Sequence, residues 1–322
     1  MSRAVCFGVA LFLGSIAGAA AAAANPYPAR PVRLVVPFAA GGPSDIIGRL
    51  IAQKLTDTLV QPVVVDNRGS AGGIVGFEIA ARAVPDGYTL LLGGGSGLTQ
   101  NPSLYLKLPY DGIRDFQPIT QLTSGPNLLS VHPSVQAKTV QELINLARAK
   151  PGQINFASAG TGNRLSSELF RIAAGIDIVN VPYKGTGQAI TDLVGGQVQM
   201  MMINMIAALP QVKAGKLRGL AVTTLKRSSV LPEVPTIAES ALPGFEVNSW
   251  HGFFAPAKTP AAIVARLHTD AVKILNQPEV RDRFVSQGLE PVGSTPDALK
   301  AYIKDETVKY AKLIKQVGIK PE

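Results

Sequence analysis

Cysteine is almost missing: the single one among 322 residues is Cys6, inside an apolar N-terminal run. From Asn25 onward the chain therefore has neither disulfides nor a thiol nucleophile. Histidine is scarce as well. His132, His251 and His268 have no zinc-like spacing to each other or to acids, which argues against a metal site. No Walker-type lysine–serine pair follows a glycine loop. Gly160-Thr161-Gly162 and Gly185-Thr186-Gly187 open like dinucleotide fingerprints, but Leu165 and Ile190 stand where the third glycine is needed. No cofactor is expected. Gly94-Gly95-Ser96-Gly97-Leu98 misses the nucleophile elbow, since Leu98 replaces its last glycine, so a secreted α/β hydrolase using Ser96 is the weaker alternative. Beyond the N-terminus no apolar stretch is long enough to cross a membrane. Lysine and arginine outnumber acids 31 to 22, a charge of +9, or +8 without Arg3. These cations are scattered and not interleaved with aromatics, so nucleic acid is excluded as a partner; the excess suits a small acidic solute.

What is present begins with Ser2–Ala24: Arg3, an apolar run from Ala4 to about Ala20, and an alanine tail. Ala22-Ala23-Ala24 obeys the small-x-small rule, so residues 1–24 read as a signal peptide with Asn25 as the first mature residue. A membrane anchor is the alternative, and the run is at the short end for a span. The length, with 46% of residues hydrophobic, suggests two domains.

The organising stretch is Pro31–Ile51. Arg33-Leu34-Val35-Val36 reads as a buried strand. An uncharged turn, Pro37–Pro43, follows, then a helix with Ile46, Ile47, Leu50 and Ile51 on its apolar face and Ser44 or Asp45 as cap. Such a turn leaves backbone N–H groups unpaired at the helix start, where the dipole favours anions. An ordinary βα loop explains the glycines equally well. The unit recurs: strand Pro62–Asp66 with turn Asn67–Gly73 and a helix Ile74–Val84, and strand Tyr88–Leu92 with turn Gly93–Gly97. Right-handed crossovers would set all three turns on the carboxyl edge of one parallel sheet. Ile119–Leu122 and Asn127–Val131 read as two strands leading away. A second α/β series follows: a helix Val140–Lys150 capped by Thr139, strand Ile154–Ala157, turn Ser158–Asn163, helix Leu165–Ala174, strand Ile178–Tyr183, turn Lys184–Gly187 and a helix to Val194. Strands Val198–Ile203, ending at Asn204, and Leu217–Thr224 complete it. After a proline-rich return, a strand Val247–Phe254 precedes helices at about Pro260–Asn276, Glu279–Gln287 and Pro296–Gly318. If those helices rejoin the first sheet, the second domain is an insertion and a cleft lies between the two.

An ordered set of short motifs runs through the chain. It comprises Pro37-Phe38 with Gly41-Gly42, Pro-Asp-Gly-Tyr-Thr at 85–89, Asn-Pro-Ser-Leu-Tyr at 101–105, Leu-Pro-Tyr-Asp at 108–111 and Val-Pro-Tyr-Lys-Gly at 181–185. Lys-Ala-Gly-Lys-Leu-Arg at 213–218, Leu-Pro-Glu-Val-Pro-Thr at 231–236, Leu-Pro-Gly-Phe at 242–245 and Pro-Val-Gly-Ser-Thr-Pro at 291–296 continue it. Together they resemble the Bug family of periplasmic solute-binding proteins, the tripartite tricarboxylate transporter (TctC-type) receptors. The resemblance implies a type II periplasmic-binding-protein fold of class α/β, with two α/β lobes joined by a two-segment hinge and a ligand cleft between them. It places a signal peptide at 1–24, lobe 1 at 25–125 and 247–322, and lobe 2 at 126–246. It implies a monomer of the periplasm that hands a small carboxylated ligand to membrane permease subunits; some members report to sensor kinases instead. The ligand's carboxylate would be held mainly by backbone amides, partly through ordered waters, from one turn of each lobe: Phe38, Ala39, Ala40, Gly41, Gly42, Pro43, Ser44 and Asp45 in the first, and Ser158, Ala159, Gly160, Thr161, Gly162 and Asn163 in the second, with Ser96 and Asn204 nearby.

Two departures from the family bear on specificity. Arg164 stands where histidine is frequent, and can engage a second carboxylate or stand solvated outside the cleft. Ile203 replaces a frequent aspartate, which removes an acceptor for an amino group. A ligand with a carboxylate and an apolar or acidic remainder is expected, rather than an amino acid. Tyr183 and Phe38 are candidates for the apolar wall or for lobe packing. Trp250 reads as hinge or core, and Met200, Met201, Met202 and Met205 as core.

Overall fold

A computed structural model describes residues 27–316 and 318–321. The proposed signal segment lies outside the described residues. In chain order the elements are β1 (Val32–Val36), α1 (Pro43–Leu59), β2 (Val63–Asn67), α2 (Ile74–Ala81), β3 (Thr89–Gly94), α3 (Asn101–Leu104), β4 (Phe116–Val131), α4 (Val140–Ala149), β5 (Asn155–Ser158) and α5 (Thr161–Ala174). There follow β6 (Val179–Pro182), α6 (Thr186–Val194), β7 (Met200–Asn204), α7 (Met205–Lys213), β8 (Arg218–Val222), α8 (Ile237–Ser240), β9 (Asn248–Pro256), α9 (Ala261–Leu275), α10 (Pro278–Ser286), β10 (Glu290–Pro291) and α11 (Pro296–Gln316).

Val32, Leu34, Val35 and Val36 are fully buried, as a strand covered on both faces requires. β1 pairs in parallel with β2 and β3. The strands run in the order β2-β1-β3-β9-β4-β7-β5-β6, with β8 and β10 also on β4. The two strands expected over 119–131 are one 16-residue strand. Residues Phe116–Pro126 of β4 pair antiparallel with β9, and Asn127–Val131 pair with β7 and β8. β4 therefore leaves one half of the sheet and enters the other without a break, because backbone partners are available on both sides of Pro126. The return crossing lies beside it: Val247 N donates to Thr223 O (2.9 Å), and Thr223 N donates to Asn127 O (3.0 Å). Two lobes thus share one curled sheet.

Each lobe has a core on both faces of its strands. In the first, α1, α9 and α10 cover one face through Ile47, Leu55, Leu267 and Phe284. Phe77, Leu98, Tyr110 and Phe254 fill the other. In the second, Phe156, Phe170 and Met202 lie on one face, and Ala189, Met201, Ile203 and Met205 on the other. Met200, Met201, Met202 and Met205 are all buried core. The final helix does not belong to the first lobe alone. Leu299 and Ile303 of α11 pack on the first lobe, whereas Tyr310 and Ile314 join the core of the second.

Candidate functional site

The cap of α1 corrects the sequence expectation. Gly42, not Ser44 or Asp45, is the N-cap, and it offers no side-chain hydrogen bond. Pro43 takes the first helical position, where a missing N–H costs nothing. The Asp45 carboxylate turns back to accept from Gly41 N (2.9 Å) and Arg49 Nε (2.9 Å). Burial alone would raise its pKa, but these bonds outweigh it and hold the carboxyl below the usual range. Asp45 is thus neutralised within the turn rather than aimed at a ligand.

Two further helices start the same way. α5 has Gly160 as N-cap at φ +97°, a conformation glycine adopts without strain, and α6 has Gly185; neither is capped by a side chain. By contrast, Thr139 caps α4 and Thr236 caps α8 through their hydroxyls. The three glycine-capped starts, of α1, α5 and α6, converge on one cavity of about 520 Å³ between the lobes, a size that suits a small ligand. Each offers N–H groups that no carbonyl of its own helix can accept.

Most of the expected residues meet there. Phe38, Ala39, Gly42, Pro43, Ser44, Ser96, Ala159, Gly160, Thr161, Gly162, Asn163, Tyr183 and Asn204 line the cavity. Ala40, Gly41, Asp45, Ser158 and Arg164 do not. Ala40 and Gly41 face solvent, and Ser158 is buried behind the wall. Arg164, one residue past the first turn of α5, is exposed, because the helical rotation carries it away from the side that Thr161 to Asn163 present. Ile203 points into the core with Met201, since strand alternation sends it away from the cleft.

Several lining side chains are already committed. Asn204 Oδ1 accepts from Ile206 N (3.2 Å) as the cap of α7, while its Nδ2 donates to Ser249 Oγ (2.8 Å). Asn163 Nδ2 donates to Met202 O (2.6 Å), and Tyr183 OH to Asp192 (2.9 Å). Tyr183 and Phe38 therefore contribute ring surface. The lobes touch around the cavity: Thr161 Oγ1 donates to Asn101 Oδ1 (2.8 Å) from the opposite side of the cleft.

The remaining wall comes partly from the glycine turns Asn67–Gly73 and Lys184–Gly187 and partly from segments that the sequence did not point to. Ser70, Thr186, Asn127 and the return crossing Val247–His251 also line the cavity, Trp250 among them. Among the described lining residues Lys184, exposed at the rim, is the one charged side chain. Among the described residues no aspartate or glutamate lines the space, so an ammonium group finds no counter-charge among them. His251 is buried. Its Nε2 lies 3.2 Å from Ser44 Oγ and its Nδ1 3.3 Å from Thr123 Oγ1, so neither nitrogen serves Ser96. Burial pushes its pKa down to about 4, and the ring is neutral. Among the described residues no group of three His, Cys, Asp or Glu could hold a metal, and no helix is long and apolar enough to cross a membrane.

Two α/β lobes, crossed twice by the chain and closed on an anion-seeking cavity, define a type II periplasmic-binding protein. The pattern of the "Tripartite tricarboxylate transporter family receptor" matches residues 47–319, and the chain belongs to that family, which includes the Bug proteins. It is 37% identical to Protein BugT of Bordetella pertussis over 315 residues, 97% of each chain. It superposes on Rhodopseudomonas palustris MatC with bound malate at a TM-score of 0.86, with 34% identity, 89% of this chain and 100% of that one. Against R. palustris Rpa4515 with adipate the TM-score is 0.90, with 36% identity, 92% of this chain and 100% of the other.

Proposed function

We propose that this protein is an extracytoplasmic receptor that captures a small carboxylated solute, a di- or tricarboxylate or an aromatic carboxylate, and delivers it to membrane permease subunits of a tripartite tricarboxylate-type transporter. The observation that carries the reading is the convergence of three glycine-capped helix starts on one cavity whose described lining includes no carboxylate. Backbone donors favour an anion without requiring a titratable partner. The lack of an acidic side chain favours adipate or malate, the ligands bound by two of its relatives, over an amino acid. Hydrogen bonds to a charged group contribute about 1.5–3 kcal/mol each. Two to four of them, with apolar burial against Phe38 and Tyr183, offset an association cost of order 4–15 kcal/mol.

In this reading residues 1–24 are a cleaved signal peptide. Lobe 1 comprises 25–125 with 247–322, lobe 2 comprises 126–246, and the end of α11 straddles the two. The mature protein is a monomer without enzymatic activity. Calorimetric titration of residues 25–322 with adipate, malate, citrate, benzoate and aspartate tests the ligand class. Micromolar or tighter binding of a dicarboxylate or aromatic acid, with weaker binding of aspartate, is expected. Preference for aspartate, or release of p-nitrophenol from its esters, would contradict the proposal.

A further inference from the structure

Besides backbone amides, the cavity wall contains a hydroxyl paired with a buried imidazole. Ser44, the second residue of α1, lines the cavity and is 7% exposed. His251 stands behind it, 6% exposed, with Thr123 on its far side. The two belong together in the sheet: His251 and Thr123 are register partners across the β4–β9 ladder, and Gly94 of β3 is the partner on the other flank. The neutral ring carries one N–H, and both nitrogens meet hydroxyls that can either donate or accept. The chain Thr123–His251–Ser44 thus has two polarities. With the proton on Nδ1, the ring donates to Thr123 and Ser44 donates to Nε2, leaving only lone pairs toward the cavity. With the proton on Nε2, Thr123 donates to Nδ1, the ring donates to Ser44 Oγ, and the Ser44 O–H is free for the ligand.

A carboxylate only accepts hydrogen bonds, so it can pair with Ser44 in the second polarity alone. We infer that His251 is a ligand-positioning residue: its Nε2–H tautomer orients the Ser44 hydroxyl as a donor to the bound carboxylate. The helix start supports the same direction, since the dipole of α1 favours negative charge beside Ser44. Burial keeps the ring neutral, so it is the position of its one proton, at Nδ1 or Nε2, that sets the direction of the Ser44 hydroxyl. The inference rests on the carboxylate-receptor reading above.

Three measurements on residues 25–322 test it. First, nitrogen-15 spectra of the histidine rings, with and without saturating adipate, should show the His251 signal as the Nε2–H tautomer in the complex. An Nδ1–H tautomer there overturns the inference. Second, His251→Phe should weaken adipate binding about 10- to 100-fold, the range for a lost hydrogen bond to a charged group. His251→Gln, which keeps a donor near the Nε2 position, should recover most of it. Third, Ser44→Ala should lose a similar factor, and the double variant no more than either single one, because both changes remove the same bond. Undiminished binding by His251→Phe, or additive losses, defeats the inference while leaving the receptor reading intact. If the unaltered protein binds neither adipate nor any other carboxylate offered, the receptor reading fails and this inference falls with it.

Discussion

Thr161→Val deletes one hydroxyl and keeps the shape of the side chain. In the structure that hydroxyl spans the cleft to Asn101 Oδ1 at 2.8 Å. Asn101 is completely buried, and its Nδ2 is spent on Gly72 O (2.8 Å) and Tyr110 OH (2.9 Å), so the amide cannot turn to find another donor. Valine leaves the Oδ1 acceptor unpaired when the lobes are together; once they part, water reaches it. The penalty therefore falls on the closed state. An unpaired buried acceptor costs about 1–3 kcal/mol. In the receptor reading ligand binding closes the lobes, so affinity should drop about 5- to 150-fold. Loss of a direct ligand contact does not explain such a drop, since the Thr161 proton is committed to Asn101 and a carboxylate gains nothing from the remaining lone pair. The assay is calorimetric titration with adipate, beside small-angle scattering of the saturated protein. Thr161→Ser should bind like the original. Equal affinity of Thr161→Val, with the same compact scattering profile at saturation, would show that the cross-cleft bond contributes nothing to closure.

Other perturbations have definite signs. The unfolded chain protonates His251 near pH 6.5 and the fold only near pH 4, so the unfolded state holds more protons between these values. The His251 contribution is complete above pH 6.5 and declines as pH falls toward 4, by up to about 3 kcal/mol. His251→Gln should lack that decline in thermal melts taken across this window, and a decline identical to the parent's contradicts the assignment. Gly76→Ala places a Cβ 2.5 Å from Pro37 Cα, a backbone atom at the root of the ligand turn. A loss of about 1–3 kcal/mol in denaturant unfolding is expected from such overpacking, and an unchanged midpoint would refute it. Arg164→Ala, outside the cavity, should leave the adipate Kd within about twofold, as surface changes generally do; a tenfold loss would return Arg164 to the site.

The sequence disclosed what depends on neighbours in the chain. β1, its glycine turn and the apolar face of α1 follow from local pattern, and so does the Thr139 cap; the expected turn Ser158–Asn163 is shorter, since α5 already begins at Thr161 rather than Leu165. What it concealed depends on direction or on distance. Arg164 and Ile203 were legible as residue types, but a helical rotation and a strand alternation turn them from the cavity. α7 was hidden by Pro210 within it and by Asn204, which looked like a ligand residue and serves chiefly as a cap. The turn Lys184–Gly187 and the helix after it follow from local pattern, but nothing local shows that Gly185 faces Ala39 across the cleft. His251 gave no motif at all. Its partners Ser44 and Thr123 come from segments that only the folded sheet unites.

The position of β9 governs the order in which the molecule can be assembled. β9 lies between β3 and β4 in the first lobe's sheet, yet it is made after every strand of the second lobe. A growing chain can therefore complete the pairing of β4 with β7 and β8, and of β7 with β5 and β6 beyond it, while β3 still exposes a bare edge from Leu91 to Gly94. The first lobe's sheet is therefore finished only once β9, Asn248–Pro256, has been made, so its closing contacts are long-range in sequence and form late.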